Sequence, residues 1–149
     1  MRNVLTTYAA MSLLLCAGTA YAEDGRIGFV KTVEPQAFLI ADGKTTPLAV
    51  GSAVHLGDHL RTGKTGSVGI TFQDDTIMSI GPDTEIVVDE YLYDPGKDAL
   101  KLAANLMRGS LNYVSGVIAK LRPEAVLIKT PTGTIGVRGT HFAAKVVAP

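Results

Sequence analysis

The stretch Asp58-His-Leu-Arg-Thr-Gly-Lys-Thr65 comes within one residue of a phosphate-binding loop of the form G-x-x-x-x-G-K-[ST]. Gly63, Lys64 and Thr65 occupy the second glycine, the lysine and the hydroxyl position. The first glycine is replaced by Asp58, whose carboxylate would repel a phosphate where bare backbone amides should cradle it. The residues that follow, Ser-Val-Gly-Ile-Thr-Phe, read as a strand, and phosphate loops deliver their ligand to a helix N-terminus. A glycine turn between strands fits better. Gly133-Thr-Ile-Gly-Val-Arg-Gly139 has G-x-x-G-x-x-G spacing instead of the dinucleotide G-x-G-x-x-G, and no acidic residue follows it.

His55 and His59 stand four apart, a zinc spacing on a helix, but Gly51 and Gly57 argue against a helix there. On an extended chain the two would lie roughly 13 Å apart. Asp74, Asp75, Asp83, Glu85, Asp89 and Glu90 gather at turns and strand ends without the pattern of a calcium loop. Ser67 and Ser110 are not in a nucleophile elbow. Tyr91 and Tyr93 share a strand face and could stack on a sugar, or simply pack on a sheet. No residue set implies a metal or cofactor. A carboxylate pair for sugar hydrolysis stays open, because its separation is set in three dimensions.

These residues ride on a chain of 149 with 14 basic and 14 acidic side chains, a balance that offers nothing to nucleic acid. Its first 22 residues have a basic start at Arg2, an apolar middle and the small-x-small end Ala20-Tyr21-Ala22. They read as a cleavable secretory leader, too short for a membrane anchor. Leu15 before Cys16 argues against lipidation there. Cys16 is the sole cysteine, so residues 23–149 are expected as one domain without disulfides, in the periplasm and without stable membrane insertion.

Beyond residue 25, short β-branched runs alternate with turn signals every eight to twelve residues. Asp42-Gly43 suits a two-residue hairpin; Gln73–Thr76, Gly81–Thr84 and Asp94–Asp98 mark further corners. Leu100, Leu102, Ala104 and Leu106 alternate at strand period, and residues 116–124 allow one short helical turn before Pro123. The expected fold is all-β, a jelly-roll-like β-sandwich with at most one short helix.

In the ending Lys129-Thr-Pro-Thr-Gly-Thr-Ile-Gly-Val-Arg-Gly-Thr-His-Phe142, Ile135 and Val137 have one strand phase, while Phe142, Ala144 and Val146 have the other. Burying both sets requires an extra residue, and Gly139 can supply it in a left-handed conformation. Arg138 would then sit at the kink, bonding freed carbonyls and pairing with a carboxylate, Asp58 by preference.

This ending, with the Gly57–Gly63 turn, the acidic Asp74–Asp75 turn and the Pro82–Ile86 corner, resembles the FecR domain over about 100 residues. The resemblance singles out Asp58, Arg61, Thr62, Gly63, Arg138, Gly139, Thr140 and Phe142 as motif residues, structural or forming an interaction corner. It implies a jelly-roll-like bacterial periplasmic domain. Regulators of this family also carry a cytoplasmic sigma-factor-controlling segment and a membrane helix. Here a leader stands in their place, so the expectation is a non-catalytic interaction or sensory module whose partner is an envelope protein or a glycan. The competing expectation is a small envelope hydrolase acting on polysaccharide or peptidoglycan, or a glycan-binding protein.

Overall fold

The computed structural model describes residues 25–147. The leader expected over residues 1–22 lies outside them. Twelve strands follow in chain order: β1 (Arg26–Glu34), β2 (Ala37–Ala41), β3 (Lys44–Pro47), β4 (Ala53–His55), β5 (His59–Thr62), β6 (Ser67–Phe72), β7 (Ile77–Ile80), β8 (Glu85–Asp94), β9 (Ala99–Val114), β10 (Val126–Thr130), β11 (Gly133–Gly136) and β12 (His141–Val146). One short helix, α1 (Val117–Leu121), precedes β10. The fold is all-β, as the turn cadence predicts. Among the described residues, no helix is long and apolar enough to cross a membrane.

Asp42 and Gly43 both adopt positive φ, 49° and 73°, and join β2 to β3 as a tight hairpin. Strands β4 and β5 are not among the runs the sequence pattern marks, because each is only three or four residues long between glycine turns. Residues 99–109, whose alanine and leucine content would suit a helix as well as a strand, belong to β9. Its Leu100, Leu102, Ala104 and Leu106 all point into the core, with Leu102, Ala104 and Leu106 fully buried.

Two ladders share β9. One half of the sheet runs β4-β1-β6-β7-β9-β12, and the other runs β3-β2-β5-β8-β9-β10-β11. All pairs are antiparallel except β9 with β10. The sandwich is therefore one curled sheet. Residues Ala99–Arg108 of β9 pair with β8, and Leu111–Val114 pair with β7. The strand changes partners at Gly109, whose φ is +90°. A Cβ there would lie 2.2 Å from the Thr84 Oγ1 and 2.4 Å from its Cα, so only glycine lets the strand cross over Thr84. Both halves enclose one core, in which Val30, Ile70, Met78, Leu111 and Tyr113 from one half meet Leu60, Ile86, Leu102, Leu106 and Ile128 from the other.

Candidate functional site

The motif residues serve different tasks, and most are consumed by the fold. Asp58 closes the turn between β4 and β5. Its Oδ2 accepts from the His55 backbone N–H at 2.8 Å and lies 3.6 Å from His55 Nδ1. Arg61, exposed on β5, reaches Glu85 at 3.2 Å, where His59 and Arg108 also approach, at 3.6 and 3.8 Å. Thr62 is buried and clamps the next corner: its hydroxyl donates to Gly81 O at 2.7 Å and accepts from Thr84 N at 2.9 Å. Gly63 exchanges backbone bonds with Gln36 and Asp83, and a Cβ on it would press into the Gln36 side chain at 2.5 Å. The near phosphate loop is thus a junction between β-strands, with strand β6 following it.

The acidic turn between β6 and β7 holds a residue whose role the sequence pattern does not reveal. Asp74 is fully buried. Its Oδ1 accepts from the Tyr91 hydroxyl at 3.0 Å and the Thr76 N–H at 3.3 Å; its Oδ2 accepts from the Thr76 hydroxyl at 2.7 Å and the Ile118 N–H at 3.1 Å. Its backbone carbonyl also accepts from Val117 N at 2.7 Å. One side chain thereby ties the β6–β7 hairpin to β8 and to the first turn of α1. Tyr91 stacks on Phe72 with ring centroids 5.6 Å apart. Burial, and then the adjacent Asp74 charge, push its hydroxyl far above the ordinary tyrosine range. Burial likewise raises the Tyr113 hydroxyl, which makes no hydrogen bond of regular geometry. Tyr91 therefore packs inside the sheet and offers no platform for a sugar. An aspartate in a hairpin loop looks like any solvated turn residue until the loop is folded over a helix.

At the C-terminal motif, Gly139 has φ +100°, left-handed as expected. It sits in the link between β11 and β12, which belong to different ladders, and not at a bulge within one strand. Val137 is buried; Ile135, Phe142, Ala144 and Val146 are partly buried against the core. Phe142 stacks on Tyr113 at 5.0 Å between centroids. The carbonyls freed at the kink are taken by Ser115: its Oγ donates to Gly139 O and its N–H to Thr140 O, both at 2.8 Å.

The expected role of Arg138 fails for that reason. Ser115 already satisfies the carbonyls, and Asp58 is engaged by His55 on the β4–β5 turn. Arg138 is exposed and makes no hydrogen bond or ion pair with any described residue. It stands on the rim of a groove of about 550 Å³ between the hairpin β10–β11 and strand β12. Within the sheet β11 pairs only with β10, and β12 only with β9, so each turns an open edge outward. Arg138 and Lys145 are the groove's charged side chains, and both are basic.

None of the four clefts described brings two carboxylates together. Beside this groove, a second of about 850 Å³ holds Glu124 alone, a third holds Asp83 alone, and the fourth holds no acid. His55 and His59 have separate acidic partners, Asp58 and Glu85. Among the described residues, no three histidine, cysteine or acidic side chains group in the manner of a metal site.

A family model described as FecR protein matches residues 58–148, which takes in both glycine motifs and the groove. No curated protein and no solved structure gives a significant match.

Proposed function

Because the chain belongs to the FecR protein family, we propose that it is a non-catalytic interaction or sensory module of the periplasm. The family points to signal transduction. One observation carries the finer reading: of the motif residues, Arg138 alone is exposed, unpaired among the described residues, and set on a groove rim. Asp58, Thr62, Gly63, Gly139 and Phe142 are held by internal contacts, Thr140 by its backbone carbonyl, and Arg61 by Glu85. A planar guanidinium left free at a family-motif corner is a recognition group, suited to a carboxylate on an incoming partner.

The separation of carboxylates among the clefts supports this over the hydrolase, which needs two acids flanking one bond. The test is affinity capture from envelope extracts, with peptidoglycan as a parallel bait. The wild-type protein should retain a component that Arg138→Ala loses at unchanged melting temperature. Equal capture by both proteins, or turnover of peptidoglycan by either, would overturn the reading.

A further inference from the structure

Resting on the interaction-module reading, we infer that the groove between β11 and β12 receives an extended, acidic segment of another protein, which adds as a strand to these open edges. Three features of the groove converge. Its walls are sheet edges, and no ladder joins β11 to β12 across it, so backbone donors and acceptors face the gap. Its floor is apolar: Ile135, Phe142, Ala144 and Val146 pack on the core while remaining partly open. Its charged groups are Arg138 and Lys145, neither of which has an ionic partner among the described residues.

A segment that fills such a site must offer unpaired backbone, apolar side chains at every second position, and a carboxylate. Strand addition supplies the first two together, because alternate side chains of an added strand face one way. The carboxylate meets Arg138 in the bidentate geometry that guanidinium favours. A second copy of this chain does not complement the groove. Among the described residues its outermost edge strands, β3 (Lys-Thr-Thr-Pro) and β4 (Ala-Val-His), carry no acidic residue, and neither do β11 and β12. The acidic stretch of β8 that runs past β5 is open on one side, but its ladder is interrupted at Asp89, and its Glu90 and Asp94 already pair with Lys101 and Lys97. The occupant is therefore a different protein.

The probe is a fluorescein-labelled nonapeptide of alternating valine and threonine with a central aspartate, titrated into the purified full chain by anisotropy. Three companions are a lysine-centred version, a version N-methylated at alternate amides, and an oligogalacturonate as an anionic glycan. The aspartate peptide should bind saturably, one per chain, and at least tenfold more tightly than the lysine or N-methylated forms. Arg138→Glu should reverse the preference toward lysine. The inference is overturned if no peptide saturates, if N-methylation leaves binding unchanged, or if the glycan binds and the peptides do not. It is overturned equally if sedimentation finds a dimer that Arg138→Glu dissociates, since a second copy then fills the groove. Arg138-dependent capture from envelope extracts alongside peptide failure would reject strand addition while leaving the module reading intact.

Discussion

Replacing Asp74 by asparagine keeps the shape of the side chain and removes one acceptor oxygen from a fully buried site where four donors converge. The hydroxyls of Tyr91 and Thr76 can rotate to accommodate an amide. The backbone N–H groups of Thr76 and Ile118 cannot. They approach different oxygens, Oδ1 and Oδ2, so either orientation of the amide points its NH2 at a fixed N–H. A buried N–H left without an acceptor costs about 1–3 kcal/mol, and each hydrogen bond to a charged group is worth about 1.5–3 kcal/mol. Relief of carboxylate desolvation offsets part of this loss. The expected net cost is about 2–4 kcal/mol, against a typical domain stability of about 5–15 kcal/mol. With no tryptophan in the chain, urea unfolding is best followed by far-ultraviolet circular dichroism. For a urea slope of about 1.5–2 kcal/mol per M the midpoint should fall by about 1–3 M. Asp75→Asn is the internal control: Asp75 is the exposed neighbour with φ 65°, a conformation asparagine tolerates, so its change should stay within about 0.5 kcal/mol. A wild-type midpoint for Asp74→Asn would refute the claim that this carboxylate ties the hairpin to α1.

Gly109→Ala should lose most of the soluble protein, since about 1–3 kcal/mol of backbone strain adds to about 1–3 kcal/mol of overpacking against Thr84; thermal melts of any recovered protein check this. Gly139→Val should cost only the strain, about 1–3 kcal/mol, because open space surrounds its Cβ position, and Arg138→Ala should leave the melting temperature within about 1 °C, both read by calorimetry. Tyr91 favours its neutral form in the fold far more than in the unfolded chain, so its contribution is complete below about pH 10 and declines as pH rises beyond that. Above about pH 10, wild-type stability should therefore fall more steeply than that of Tyr91→Phe, by up to about 1.4 kcal/mol per pH unit in denaturant titrations.

The sequence by itself determined what depends on neighbours along the chain. Turn residues at Asp42-Gly43 dictate their hairpin, the alternation of Leu100 to Leu106 favours a strand although its alanine and leucine content suits a helix as well, and Gly139 is marked for the left-handed conformation it adopts. Strands β4 and β5 escaped because three or four residues are too few to display a period. Tertiary structure alone decided where side chains find partners across long separations. Asp74 meets an N–H that is 44 residues away, and Ser115 reaches Gly139 across 24 residues, which removes the carbonyls that Arg138 was expected to serve. A charge in a turn has the same local pattern whether it is buried under a helix or open on a rim. Only the folded sheet, by placing Asp74 inside and Arg138 at an open edge, makes the first a structural tie and the second a candidate contact.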